Sequence, residues 1–331
     1  MTARRLYQGS VIKATESWEQ KFTKKPVDNI FNSRALFYLM NEEGFKEEGD
    51  GGRLIEFGLQ YAANSTFRSY GEYDALDTTR VNVFDAARFD WKINAGVVQY
   101  SELERLRAQA SSGKYDLLEI KLDNGKDSHI AALNTQLFSD GTGNGSQDIG
   151  GLQLIISSTP TTGTVGSINR ATFSFWRNRQ TAGTKTTNAF DNLRAAMRSV
   201  FNQCSRGGIE DTPTGIITDR ATFEGYEGLL TPNERFLPAD KFKKRGGDGA
   251  FMNDILTFKG APVAYDEDAP AGNVYFMNSK YLKLAYLQGG WMKMYPKVDP
   301  ANQLTNVHKV ATFANLGTSE SRRLGVVTAV T

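Results

Sequence analysis

The sequence predicts an α+β chain, and three patterns carry that prediction. Two segments, Arg53–Tyr61 and Ala87–Ala95, alternate apolar and polar residues as half-buried strands do. Two others, from about Lys114 to Leu137 and from Asn188 to Gln203, repeat apolar residues at helical spacing. Short apolar runs bounded by Gly, Pro and Asp are scattered through the second half, with no internal repeat.

Residues 1–27 are polar and mixed, ending in Lys24, Lys25 and Pro26, and read as an extended arm. Asp28 can cap a following helix, because its carboxylate can accept from the free amides of the first turn. Ile30, Phe31, Leu36, Phe37, Leu39 and Met40 make that helix apolar, and Gly44 stops it. In the first alternating segment Ile55, Phe57, Leu59 and Tyr61 face one way, with Glu56, Gly58 and Gln60 opposite. In the second, Ala87, Phe89, Trp91, Ile93 and Ala95 share a face. Between them Asn64–Thr79 is polar with spaced aromatics, Phe67, Tyr70 and Tyr73. Together they make an extended hairpin with a wide polar tip. A lone two-stranded hairpin is marginal in water, so this one needs another surface to lie on, for which a neighbouring subunit is a natural candidate.

Ser101 and Glu104 stand at capping-box spacing where a helical zone begins. The longer helix after it carries Leu118, Leu122, Ile130, Leu133 and Leu137 near one face. Gly125 inside it costs about 1 kcal/mol relative to Ala and allows a bend. Asp140–Gly151 is a Gly-rich polar loop, and Leu152, Leu154 and Ile156 read as a short strand. The Asn188–Gln203 helix presents Phe190, Leu193, Met197, Val200 and Phe201, and ends at Gly207 and Gly208. Gly215–Thr218 reads as a strand, after which Asp219 caps a helix bearing Phe223 and Tyr226. Phe258–Val263 reads as two strands around a tight turn, and Val274–Leu287 and Val307–Val330 as further strands.

Composition narrows the function. The chain has 331 residues, 40% of them hydrophobic, enough to build a real core. A compact chain of this size buries roughly 75% of its unfolded surface. Its net charge of +2 lacks the concentrated basic surface of a dedicated duplex-DNA binder. The dense run Lys241, Lys243, Lys244 and Arg245 reads as a solvated loop. Cys204 is the only cysteine, which excludes an intrachain disulfide and a Cys-based zinc site. Met1–Ser10 has no apolar signal core, and no stretch approaches the roughly 18 apolar residues of a membrane span. These features predict a soluble protein made in the cytoplasm, with no membrane partner.

Catalytic signatures are missing. His129 and His308 are the two histidines, one in a helical zone and one in a strand, and both read as structural. There is no Gly-x-Ser-x-Gly, His-Glu-x-x-His or P-loop pattern. Gly141, Gly143 and Gly145 follow a helix, the wrong context for a dinucleotide loop. Asp140, Thr142, Asn144 and Gly145 fit the start of a calcium-loop frame, but Gly151 stands where a bidentate Glu is required. A flexible loop is the better reading. Asp266, Glu267 and Asp268 read as an exposed turn before Pro270 rather than a cation site. Trp176, beside Arg177 and Arg179, could stack on nucleic acid. Phe173 and Phe175 at strand spacing favour core packing or a subunit contact instead. The sequence therefore predicts no catalytic residue, no cofactor and no metal.

Pieces in a fixed order point to a family. They are Asn29-Ile30-Phe31-Asn32-Ser33 leading to Gly51-Gly52-Arg53-Leu54-Ile55, then Tyr70 through Asp77, and Ala86 through Lys92. Phe138 through Gly141, Ile149 through Leu152, and Arg170 followed by Phe175 through Asn178 come next. Phe258 through Val263 and Tyr275 through Asn278 close the series. Over nearly the whole chain the sequence resembles a tailed-phage major capsid protein of the Hong Kong 97-like fold.

The resemblance implies four parts. They are an N-terminal arm (1–50), an extended E-loop hairpin (51–100), a peripheral domain with a long spine helix (101–186 and 291–331) and an axial domain (187–290). It implies self-assembly into hexamers and pentamers of an icosahedral head shell that encloses double-stranded DNA without reading its sequence. The expected partners are further copies of the chain, a separate scaffolding protein and a portal. Assembly is expected in the host bacterial cytoplasm, and the final location is the virion. No local motif marks the Lys–Asn pair that cross-links some relatives. Phe67, Tyr70, Tyr73, Phe57, Arg53 and Arg80 are the expected inter-subunit contacts. An encapsulin-like compartment, a non-capsid virion protein and a soluble enzyme are the rival readings.

Overall fold

The structure, a computed structural model, describes residues 34–42, 44–104, 106, 117–183, 192–208, 210–229, 256–300 and 302–328. The readings of the 1–27 arm, of Asp28 and of the Lys241–Arg245 run lie outside the described residues.

The chain divides into two compact units. The larger comprises Asn32–Gly96, His129–Met294 and Val310–Thr331, and the smaller includes Val97–Ser128 and Tyr295–Lys309. Helix α1 (Ala35–Glu42) stops at Gly44, whose φ of 73° lies in the left-handed region that glycine enters without strain. Strands β1 (Lys46–Gly49), β2 (Leu54–Gln60), β3 (Phe84–Asp90) and β4 (Lys92–Ser101) follow. Helix α2 (Leu117–Phe138) runs unbroken through Gly125. A Cβ on Gly125 would lie 2.3 Å from Cγ2 of Val98, so the glycine serves close packing.

Strands β2 and β3 pair antiparallel, from Leu54 opposite Asp90 to Gln60 opposite Phe84. Tyr61 N donates to Val83 O at 3.1 Å and lengthens the ladder. The expected alternation holds as far as Phe89: Ile55, Leu59, Ala87 and Phe89 are buried in the core. It then reverses. Ile93 is 61% exposed, Ala95 is exposed, and Asn94 is buried. Trp91 lies outside both strands and donates from its indole N–H to Gly52 O at 3.0 Å. After this break the chain leaves β2, and β4 pairs with β14 (Thr305–Thr318) instead. One unpaired residue moves every following side chain to the other face.

Leu152–Ile155 is a single helical turn rather than the expected strand. Its apolar run fits either structure, and Arg170 selects the turn by donating from its guanidinium to the carbonyls of Leu154 and Ile155. Phe173 and Phe175 likewise flank a 3-10 turn, Ser174–Trp176, and not a strand. Trp176 is buried in the core and donates from its indole N–H to Val165 O at 2.9 Å, which leaves it no face for a nucleic acid. Between these lie the short pair β5 (Thr164–Val165) and β6 (Ile168–Asn169), and after them β7 (Arg179–Ala182).

Helix α3 (Leu193–Cys204) is amphipathic, burying Leu193, Met197, Val200 and Phe201. Strand β8 (Gly215–Thr218) leads to Asp219, whose carboxylate accepts from Thr222 N and caps α4 (Arg220–Gly228). Strands β9 (Thr257–Phe258) and β10 (Ala261–Tyr265) flank Lys259 and Gly260, both at positive φ, as a two-residue hairpin turn requires. Strands β11 (Val274–Met277), β12 (Leu282–Leu287), β13 (Lys293–Met294), β14 and β15 (Gly325–Thr328) complete the order.

The central element is a six-stranded sheet in the order β7-β15-β11-β8-β10-β9. Its inner strands are buried on both faces and separate two hydrophobic clusters. Ile217, Tyr275, Met277 and Val326 point into one cluster, while Ile216, Val274, Phe276 and Val327 point into the other. Alternation along each strand distributes the residues this way. The first cluster also takes in α1, the hairpin base and Leu133 and Leu137 of α2, and the second is covered by α3 and α4. A second sheet, β1-β12-β14-β13 with β4 joined to β14, completes the framework.

Asp266 departs from the exposed turn expected for the acidic trio: it is 1% exposed. It accepts from Leu36 N, Asp268 N and the Asn134 amide, each at 3.0 Å.

Candidate subunit-contact surface

The hairpin base is fixed by close packing within the chain. Phe57 is half-buried and meets Phe89 edge-on at 6.0 Å between ring centres. A Cβ on Gly317 would stand 2.4 Å from the Phe57 ring, so glycine there admits the aromatic. Gly166 accommodates Ala87 and Phe89 in the same way, and its carbonyl accepts from Arg88 N at 3.0 Å. On the outer face Arg88 pairs with Glu56 at 2.9 Å, within the subunit and across the two strands. Lys92 donates to Ser146 O at 2.6 Å.

The tip, residues 62–82, is held by local hydrogen bonds. Asn64 Oδ1 accepts from Thr66 N and Oγ1, at 3.0 and 2.8 Å. The Tyr70 hydroxyl donates to Thr66 O at 2.9 Å and accepts from Asp77 N at 3.1 Å. Arg68 lies 5.0 Å above the Tyr70 ring. Gly71 N donates to Asp74 Oδ2 at 2.7 Å, and Asp74 N to Gly71 O at 3.2 Å. Hydrogen bonds from the Thr79 hydroxyl and amide hold the Asp77 carboxyl below its ordinary range.

The structure thus separates the six sequence-derived contact residues. Phe67 (84% exposed) and Tyr73 (93% exposed) project from the tip, and Arg80 is exposed on the same loop. Tyr70 is half-buried inside the loop. Arg53 is exposed at the start of the hairpin, away from the tip in sequence, and Phe57 packs on the core of its own chain. Leu76 and Phe84, which the sequence reading did not single out, are also largely exposed. Leu76 left a signal, as the one large aliphatic residue in the run from Gly71 to Arg80. Phe84 left none, because its exposure follows from its place opposite Gln60 on the outer face.

The other candidate sites are accounted for. Asp140 Oδ1 accepts from Thr142 N at 3.0 Å and Oγ1 at 2.7 Å, which makes the calcium-like sequence an Asp-closed turn. Among the described residues, no group of three or more His, Cys, Asp or Glu is arranged to hold a metal ion. No helix among them is long and apolar enough to cross a membrane. Burial pushes the Cys204 thiol up to about 12, against the opposing pull of Arg179 and Arg323, so it stays protonated. His308 stacks on Tyr100 at 5.9 Å.

The sequence matches no protein-family model and no curated protein. Solved structures match at nearly full length. The capsid asymmetric unit of cyanophage A-1(L) is 14% identical with a TM-score of 0.64, over 93% of this chain and 96% of that one. The capsid of the native GTA particle is 14% identical with a TM-score of 0.59, over 93% and 94%. The SrpI encapsulin of Synechococcus elongatus PCC 7942 is 11% identical with a TM-score of 0.59, over 96% of both chains. The α+β architecture of this chain is therefore the Hong Kong 97-like fold, shared with phage capsid, GTA capsid and encapsulin shell proteins.

Proposed function

We propose that this chain is a major capsid protein, which assembles through hexamers and pentamers into the icosahedral head shell of a tailed phage. One observation carries the reading: the end-to-end fold likeness to shell proteins, in which phage and GTA capsids predominate over the encapsulin. The hairpin gives the reading a physical mechanism. Its base is packed into the subunit core, while its tip offers Phe67, Tyr73 and Leu76 to solvent. Aromatic side chains on a polar ground suit a subunit contact. Many modest contacts repeated in a closed lattice sum to a stable shell.

On this reading residues 1–50 are the arm, 51–100 the E-loop, 101–186 and 291–331 the peripheral domain, and 187–290 the axial domain. The cluster built on α3, β8, α4 and β9–β11 supports the last assignment, since nearly all of it falls within those bounds. The function is structural, without turnover. A scaffolding protein and a portal are the expected assembly partners. Double-stranded DNA is the enclosed cargo, the host cytoplasm the place of assembly, and the virion the destination.

Negative-stain microscopy of the full chain, expressed alone and with its neighbouring genes, tests the proposal. Closed shells are expected, and Tyr73→Ala should sharply lower their yield while the subunit keeps its circular dichroism. A subunit that stays monomeric under every condition sinks the capsid reading. Shells that capture a cargo peptide and need no portal favour the encapsulin reading instead.

A further inference from the structure

The geometry points to Tyr70 as a positioning residue, one that sets the shape of the hairpin tip so that Phe67, Tyr73 and Leu76 are presented already ordered to a second copy of this chain. The inference rests on the shell reading above.

From Phe67 to Arg80 every residue except Tyr70 is exposed. Its phenol is turned inward and bridges the two limbs of the loop, donating to Thr66 O on one side and accepting from Asp77 N on the other. Each of those limbs is itself locally closed: Thr66 by Asn64, and Asp77 by its bond to Thr79 N at 3.0 Å. Arg68 covers the Tyr70 ring. The hydroxyl is thus the one described side-chain link between residues 64–66 and 77–79. The exposed apolar residues, Phe67, Tyr73 and Leu76, all lie in the span it closes.

A loop of this size without a core has little else to order it, and ordering on association subtracts from affinity. Closing the loop in the free subunit moves that cost out of the assembly step. Tyr70 then acts through the residues it positions. Tyr70→Phe keeps the ring and its Arg68 contact but removes both hydrogen bonds.

The test compares wild type, Tyr70→Phe and Tyr73→Ala as full-length chains. Trypsin cleaves after arginine, and Arg68 and Arg80 lie on the tip, so limited trypsin digestion of unassembled subunits reads whether the loop is closed. Tyr70→Phe should be cut there roughly tenfold faster than wild type, the change expected when one part-buried and one exposed hydrogen bond are lost together. It should also need a higher subunit concentration to form shells. Tyr73→Ala should impair assembly with wild-type cleavage, because it removes a presented side chain and not the closure. Wild-type cleavage of Tyr70→Phe overturns the inference, as does a faster-cut loop with wild-type assembly. If wild type itself forms no shells, the shell reading fails and the positioning role fails with it, while digestion still reports separately on loop closure.

Discussion

The side-chain amide of Asn134 on α2 donates to the buried carboxylate of Asp266, beyond β10, at 3.0 Å, and together the two residues cap α1. Asn134 Oδ1 accepts from Phe37 N at 3.2 Å, and Asp266 Oδ2 accepts from Leu36 N at 3.0 Å. Orphan amides in a helix's first turn usually find a cap in the residue just before it. Here the caps stand 97 and 230 positions away. Burial raises the Asp266 carboxyl above its usual range, and the hydrogen bonds from Leu36, Asp268 and Asn134 oppose that shift.

Asn134→Ala should therefore cost more than an ordinary surface change. It leaves Phe37 N without its acceptor and removes donors from both Asp266 and Asp268. A buried amide left without its acceptor, together with a buried carboxylate that loses one of its three donors, corresponds to about 2–3 kcal/mol. Urea unfolding of the unassembled subunit should show a lower midpoint with the slope unchanged. An unaltered midpoint would mean that α1 is held by its apolar face alone.

His129 should give the subunit a stability loss on the acid side. Its ring Nε2 lies 2.7 Å from Thr312 Oγ1, and that hydroxyl oxygen accepts from Met292 N at 3.2 Å. Burial lowers its pKa from the ordinary 6.5, so the folded state favours the neutral ring. The unfolded chain takes up a proton first as pH falls. The contribution is full above about 6.5 and is lost as pH drops from there toward the folded value, at no more than about 1.4 kcal/mol per pH unit. Thermal melts between pH 7.5 and 5 should fall less for His129→Gln than for wild type. Parallel curves would assign the acid loss to other groups.

Features written within a few residues were legible in the sequence, and features made by distant partners were not. The Ser101–Glu104 capping box is present as its reciprocal bonds, 3.0 and 3.1 Å, and Asp219 caps α4 as its position promised. Lys259-Gly260 forms the tight turn because the two residues alone set that backbone. The strand reversal at Trp91 could not be read, since it depends on β14, more than 200 positions later, offering β4 a new partner. Asp266 looked exposed for the same reason: its neighbours in sequence are acidic, and two of its three hydrogen-bond donors come from α1 and α2. In the candidate surface, the spacing of aromatics identified the loop but not which ring faces inward, which the Tyr70 hydroxyl decides.

Phe57 offers a direct separation of subunit packing from subunit contact. Its ring fills the space that a side chain on Gly317 would need, the hypothetical Cβ lying 2.4 Å from it. Gly317→Ala should destabilise the subunit by about 1–3 kcal/mol, because a packed core accommodates an added carbon only by displacing its neighbours. Phe57→Leu alone should also destabilise, through the volume it vacates. Combined, the two should cost less than the sum of the single changes, since the smaller side chain makes room for the new methyl group. Unfolding midpoints of the four proteins close the cycle. Strict additivity would show that Phe57 and Gly317 do not share that space, and would return Phe57 to the candidates for a contact between subunits.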